Sequence, residues 1–193
     1  MREQSPVVLV VDDERGLADL YAAWLSERYE TQVAYGGEQA LDRLDDSVTV
    51  ALLDRRMPEY SGDAVLEEIE ARDLDCQVAM VTAVEPDFDI IDMGFDDYIC
   101  KPVTQDELLE TVDSLLDRKE YEAVLSELFA LVSKKAALSQ RKAEEELAAN
   151  EDYQNLLARI EALEVETHRL VTEMDSLDAA AVFRQLELSA DDD

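Results

Sequence analysis

The chain reads as an α/β protein with a parallel sheet in its first part, followed by an α-helical coiled-coil hairpin or bundle. Three observations predict this. Short apolar runs alternate with helically spaced apolar residues through the first half. Several of those runs are apolar at consecutive positions, as in strands covered on both faces. Beyond Pro102 there is neither Gly nor Pro up to Asp193, so no strong breaker interrupts the helical pattern there.

The elements follow in order. Val7 to Val11 is a continuous apolar run between Pro6 and the pair Asp12-Asp13, and predicts a buried strand. Leu17, Leu20, Tyr21, Trp24 and Leu25 recur at helical spacing. "TQVAY" (31–35) reads as a strand, and "EQALDRL" (38–44), after Gly36-Gly37, as a short helix. "VTVALLD" (48–54) is a further buried strand, and Val65, Leu66 and Ile69 mark the next helix. "QVAMVTA" (77–83) and "DYICKP" (97–102) complete five strands. Thr104 with Glu107 is a capping-box signature for a helix that starts after Pro102. Leu109, Val112, Leu116, Tyr121, Leu125, Leu128 and Val132 give that helix a wide apolar stripe, and 150–152 is its expected interruption. From Tyr153 a heptad runs through Leu156, Ile160, Leu163, Thr167, Leu170, Met174 and Leu177, a coiled-coil seam. The expected domains are 1–118 and 119–193, the second continuous with the last helix of the first.

Composition narrows the function classes. Among 193 residues, 48 acids face 17 Lys+Arg, for a net charge of -31. Such an excess repels nucleic acid at long range. The acids are spread along the chain rather than gathered in a tail, which favours adaptation to concentrated salt, where the Debye length falls to about 3 Å at 1 M. The N-terminal apolar run is short and ends in acids, and no apolar stretch reaches membrane-spanning length, so the expected compartment is the cytoplasm, with no membrane partner. Cys76 and Cys100 fit a reduced environment, and placed at opposite ends of parallel strands they could not bridge. The one histidine, His168, excludes multi-His metal sites and histidine relays.

In open parallel sheets, function gathers at the carboxyl ends of the strands. The residues expected there are Asp12 and Asp13 after the first strand, Asp54 after the third, Thr82 after the fourth and Lys101 after the fifth. Taken singly each has an ordinary reading: Asp12 and Asp13 as helix caps, Asp54 as a turn cap, Thr82 as a strand end, Lys101 as a solvated loop lysine. Together they put three carboxylates on one edge, a set that needs a cation. Hard oxygen ligands with open positions suit Mg²⁺. A hydroxyl and an ammonium beside them suit the oxygens of a phosphoryl group, with Asp54 as the nucleophile.

"VLVVDDE", "LLDRRMP", "VTA" and "DDYICKP" resemble, in order and spacing, the signature set of the receiver domain of two-component response regulators. The resemblance implies a five-stranded doubly wound sheet of order 2-1-3-4-5, as in flavodoxin-like folds. It implies that a sensor histidine kinase phosphorylates Asp54, and that Asp12, Asp13 and Asp54 hold Mg²⁺ together with the backbone carbonyl of Arg56. Thr82 would bind the phosphoryl group on switching and Lys101 would form its ion pair. Tyr98 matches the aromatic switch position, Pro102 a proline preceded by a cis bond, and Gly62 the small residue opening the third helix. Such a domain assists its own phosphorylation and dephosphorylation but is not an enzyme with an external substrate. A dehalogenase-like phosphatase would need a second Asp where Arg56 stands. Arg55 receives no role from the resemblance.

Two departures stand out. The stretch from Thr82 to Gly94 is shorter than the family's and rich in Pro and Asp, so its helix is expected to be short or irregular. Between Arg72 and Arg118 the one cation is Lys101, so the family's usual dimer face is not expected to carry over.

After residue 118 no winged-helix pattern follows, and 119–193 holds 8 basic and 18 acidic residues, net -10. A receiver followed by an acidic helical segment on a salt-adapted chain resembles the HalX-type regulators of halophilic archaea. Three outputs are expected to compete. One is a phosphorylation-dependent change in helix pairing, within the chain or in a homodimer through the 153–177 heptads. Another is DNA contact through Lys134, Lys135, Arg141 and Lys142, which lie in an acid-free stretch, although pairing with acidic neighbours is the favoured reading of these cations. The last is a constitutive coiled-coil scaffold. The kinase, its signal and the target of the helices are not written in the sequence.

Overall fold

A computed structural model describes residues 5–173. The chain divides into two compact units, Met1–Leu116 and Asp117–Asp193. In order the elements are β1 (Val7–Val11), α1 (Arg15–Leu25), β2 (Glu30–Ala34), α2 (Gly37–Arg43), β3 (Val48–Leu53), α3 (Gly62–Ala71), β4 (Gln77–Thr82), β5 (Asp97–Cys100), α4 (Gln105–Ser139), α5 (Glu144–Ala148) and α6 (Glu151–Glu173). The unit boundary falls within α4.

All five strands are parallel, in the order β2-β1-β3-β4-β5. Because side chains alternate across a strand, each apolar run feeds two cores. Val8, Val10, Val50, Leu52, Ala79 and Val81 pack on one face with α1 and with Leu108, Val112 and Leu115 of α4. Leu9, Val11, Ala51, Leu53, Val78 and Met80 pack on the other with α2 and α3, through Ala40, Leu44, Val65, Leu66 and Ile69. Burial on both faces explains why β1 and β3 lack polar alternation.

The ladder continues one residue past several strands. The Asp12 N–H donates to the Ala34 carbonyl at 3.1 Å, the Asp54 N–H to Val11 at 2.9 Å, and the Lys101 N–H to Thr82 at 2.8 Å. The backbone at three of the residues singled out above is thereby fixed by the sheet. Between β4 and β5 the regular structure is a single 3-10 turn at Phe88–Ile90, in keeping with the short segment there. The Lys101-Pro102 bond is cis. The capping box forms: the Glu107 carboxylate accepts from the Thr104 N–H at 2.9 Å, and Thr104 Oγ1 accepts from the Glu107 N–H at 3.3 Å. Cys76 precedes β4 and Cys100 ends β5, and both are free thiols.

In the second unit α6 runs antiparallel to the later part of α4. Arg169 meets Glu120 at 3.5 Å, Arg159 meets Glu127 at 2.6 Å, and Ser139 Oγ lies 3.2 Å from the Tyr153 hydroxyl. Tyr121 and Leu170 are buried together, with Val124, Leu125 and Val171 against them. The heptad seam is the inward face of α6: Ile160, Leu163 and Leu170 are buried, while Tyr153, Leu156 and Thr167 are half-buried. Thr167 satisfies its hydroxyl on the Leu163 carbonyl at 2.8 Å, so a polar seam residue leaves no unpaired group. Met174 and Leu177, the last seam positions, lie outside the described residues.

One break differs from expectation. α4 stops at Ser139, well before Asn150, and α5 intervenes. Arg141 and Lys142 lie just past the end of α4, and Glu144, Glu145 and Glu146 form the first turn of α5. That change of sign suits the negative end of one helix dipole and the positive end of the next, a boundary signal that needs no Gly or Pro. Asn150 caps α6, its side-chain oxygen accepting from the Tyr153 N–H at 2.9 Å.

Candidate functional site

The carboxyl edge at β1 and β3 is the point where successive connections depart to opposite faces, and a crevice forms there. Asp12, Asp13 and Asp54 gather in it, one carboxylate oxygen from each lying within 4.8 Å of the others. Lys101 reaches in from beyond β5, its Nζ donating to Asp12 Oδ2 and to Asp54 Oδ2, both at 2.7 Å. The three side chains are nearly enclosed, with 3% of Asp12, 13% of Asp54 and 12% of Lys101 exposed. Asp13 is exposed, on the solvent side of the cluster.

Burial pushes the Asp12 carboxyl above its usual range, and hydrogen bonds from Lys101 and the Glu14 N–H offset part of that. For Lys101, burial opposes the charge, but the bonds to Asp12 and Asp54 outweigh it and hold the ammonium above its ordinary value. The pair of carboxylates thus relies on one cation, while the solvent side of the cluster is acid only. Three hard oxygen donors, one of them open to water, are a donor set for a divalent cation such as Mg²⁺.

The flanking positions are built with similar economy. Asp54 Oδ1 accepts from the Arg56 N–H at 3.2 Å, so the chain folds over the carboxylate directly after β3. Gly62 makes this turn possible. Its N–H donates to the Arg55 carbonyl at 3.0 Å, and a Cβ there would lie 2.9 Å from the carbonyl carbon of Asp54. Any side chain would push α3 off the site. Thr82 is buried at the end of β4 and accepts from the Val84 N–H at 3.3 Å through Oγ1. Tyr98, on β5, donates its hydroxyl to the Val84 carbonyl at 2.8 Å and stacks obliquely on Phe95. The hydroxyls of Thr82 and Tyr98 therefore hold the same peptide segment.

Lys134, Lys135, Arg141 and Lys142 lie in the second unit. Their expected neutralisation is not what forms: Lys142 pairs with Glu146 at 2.5 Å, but Lys134, Lys135 and Arg141 have no ion pair among the described residues. All four are exposed. Leu128 to Ala143 carries no acid, so no carboxylate lies one turn away from Lys134 or Lys135 on α4.

Arg55 is the residue that sequence reasoning missed. Its guanidinium is 11% exposed and joins Asp63 of α3 at 3.1 Å to Asp89 of the 3-10 turn at 2.5 Å. The bond to Asp89 holds its charge well above the ordinary arginine value; burial opposes this, and Asp63 and Tyr98 add to it. Arg55 so ties the chain after Asp54 to the segment that Thr82 and Tyr98 hold. The signal was a basic residue beside the key carboxylate in an acidic chain, but its partners come from distant sequence.

A family model for the response regulator receiver domain matches residues 8–113. The chain belongs to the response regulator receiver family. A model for the HalX domain matches residues 117–185. A candidate transcriptional regulator of Haloferax volcanii, a halophilic archaeon, is 54% identical over 166 residues, covering 86% of this chain and 28% of that protein. The transcriptional regulatory protein CpxR of Escherichia coli K12 is 36% identical over 118 residues, 59% of this chain and 50% of CpxR. The chain thus spans half or less of the length of these relatives. Among solved structures, a CheY-like receiver domain protein of Methanospirillum hungatei superposes with a TM-score of 0.56 at 29% identity, over 61% of this chain and 98% of that one. The receiver fold and its order 2-1-3-4-5 are shared with these structures. Among the described residues, no helix is long and apolar enough to cross a membrane.

Proposed function

We propose that the receiver domain is a phosphoacceptor of a two-component relay, with Asp54 as the residue modified. The observation that carries this reading is Lys101 Nζ bridging Asp12 and Asp54 at 2.7 Å beside the exposed carboxylate of Asp13. Such a site neutralises a carboxylate nucleophile while leaving acid in excess for a cation. Asp12, Asp13 and Asp54, with the Arg56 carbonyl, would hold Mg²⁺, whose charge offsets that of the phosphoryl oxygens.

A carboxylate oxygen of Asp54 forms a bond to phosphorus as the phosphorus–nitrogen bond of a kinase phosphohistidine breaks. The electron pair of that bond returns to the imidazole. Lys101 keeps the aspartyl phosphate paired, and Thr82 supplies a hydroxyl to its oxygens. When Thr82 turns to do so, the Val84 peptide loses one of its two anchors and Tyr98 follows. The reading makes the protein a cytoplasmic signalling switch whose partner is a sensor histidine kinase, without an external substrate.

Incubation with Mg²⁺ and a small acyl phosphate is expected to give an acid-stable, base-labile adduct that Asp54→Asn abolishes. Labelling that persists in Asp54→Asn refutes the assignment. A second reading, DNA contact through the helical unit, is favoured by the lack of acidic partners for Lys134, Lys135 and Arg141. It requires binding that weakens steeply with salt and is lost when these residues and Lys142 are neutralised. An oligomer identical with and without phosphate would favour a constitutive scaffold instead.

A further inference from the structure

On the reading of Asp54 as the phosphoacceptor, Thr82 and Tyr98 move when the phosphoryl group arrives, and the stretch they hold moves with them. Thr82 Oγ1 accepts from the Val84 N–H at 3.3 Å, and the Tyr98 hydroxyl donates to the Val84 carbonyl at 2.8 Å. Five residues on, Asp89 accepts from Nη2 of Arg55 at 2.5 Å. Nε of the same guanidinium donates to both carboxylate oxygens of Asp63 on α3, at 3.1 and 3.2 Å. We propose that Arg55 is a positioning residue for the switch. By clamping Asp89 to α3 it holds the 84–89 stretch, and through it Thr82 and Tyr98, in the unphosphorylated arrangement, and so restrains the rate at which Asp54 accepts a phosphoryl group.

The stretch has little apolar hold at its turn. Phe88 is 85% and Ile91 72% exposed, so neither side chain pins the turn to the core. An open polar cleft of about 510 Å³, lined by Arg55, Ser61, Asp63, Val84, Asp87 and Asp89, opens between the turn and the start of α3, and the Arg55 guanidinium spans it. The clamp is fixed at its base, because the Gly62 N–H donates to the Arg55 carbonyl at 3.0 Å. Tyr98 stands against the same guanidinium and adds to the hold on its charge, so Arg55 meets the stretch at both ends. Only an arginine suits the position: two edges of a planar fork reach two carboxylates at once, which the ammonium of a lysine does not. The effect on rate follows from Thr82. Asp54 reacts fastest with that hydroxyl turned toward the transferred oxygens, where it offsets their charge. A restraint on Val84 keeps this arrangement a minority, and release raises its share by the worth of the ion pair. Asp89 is 54% exposed, so water screens the pair and the share rises by about threefold to tenfold.

The test is the rate at which acetyl phosphate and Mg²⁺ label the full chain. Arg55→Met and Arg55→Lys are both expected to label about threefold to tenfold faster than wild type, and Asp89→Asn, a change on an exposed turn, to match them. The double variant of Arg55→Met with Asp89→Asn is expected to be no faster than either single one, since each removes the same bond. A residue with a purely structural role would slow labelling on replacement or leave it unchanged. Rates at or below wild type in Arg55→Met and Asp89→Asn overturn the clamp. Multiplying effects in the double variant overturn the pairing with Asp89, and wild-type behaviour of Arg55→Lys overturns the two-carboxylate bridge. The two ideas fail separately. Label that survives Asp54→Asn in every background refutes the phosphoacceptor reading, while unchanged amide exchange at 84–89 in Arg55→Met and Asp89→Asn, measured without phosphodonor, refutes the clamp.

Discussion

Replacing Lys101 with Met keeps the length and apolar stem of the side chain but removes the ammonium that Asp12 and Asp54 share. Two charge-assisted hydrogen bonds at 2.7 Å are lost. At about 1.5–3 kcal/mol each, they sum to about 3–6 kcal/mol. The burial cost that the ammonium itself carries is recovered, which brings the expected loss to about 3–4 kcal/mol. The pH dependence has a definite sign. Burial already raises the Asp12 carboxyl, and without Lys101 it rises further. A carboxyl whose folded pKa lies above its unfolded value destabilises the fold once pH climbs through the folded value. The loss is therefore largest at neutral pH and fades toward acid. Mg²⁺ restores positive charge to the cluster, and a ligand in hundredfold excess over its Kd adds about 2.7 kcal/mol. Urea unfolding of wild type and Lys101→Met, in chelator and in Mg²⁺ across pH, measures each part. A loss under about 1 kcal/mol in chelator, or one that Mg²⁺ leaves unchanged, would refute the electrostatic account of the site.

Three further outcomes are expected. Leu163 is fully buried in the hairpin seam, so Leu163→Ala is expected to cost about 2–5 kcal/mol of helical-unit stability by thermal unfolding, independent of protein concentration because the seam is intramolecular. Bonds from the Thr104 N–H and hydroxyl lower the Glu107 carboxyl. Its contribution is thus present above the unfolded pKa and lost as pH falls through the folded one, so Glu107→Gln is expected to flatten the acid limb of a pH–stability curve. Arg55→Met removes the tie from Asp63 to Asp89 and is expected to speed amide exchange in 84–91 about tenfold, with the central sheet unchanged.

Much of the site was legible because its residues sit directly after strands. An apolar run that ends in a charged residue gives both the strand and its edge, so the sequence alone places Asp12, Asp54 and Lys101 at that edge. Gly62 and the cis bond before Pro102 followed from the family resemblance, and the backbone contact at Gly62 supplies the physical reason for the glycine. The end of α4 was missed because the breaker sought was Gly or Pro, while the chain used a change of charge sign between Lys142 and Glu144. The cations were expected to find acids nearby, but Leu128 to Ala143 carries none, and only Lys142 reaches one, Glu146 of α5.

The sequence by itself determined which segments are buried, where the sheet meets solvent and which carboxylate lies at the crevice, since these depend on local patterns of apolar and charged residues. Tertiary structure alone decided who pairs with whom. A heptad has the same pattern whether it closes on its own chain or on another, and the fold assigned the α6 seam to α4 of the same chain. An arginine beside Asp54 likewise says nothing of its partners until α3 and the turn at Asp89 are brought together. Pairing over long sequence separations is set by the geometry of packed elements, which no local pattern encodes.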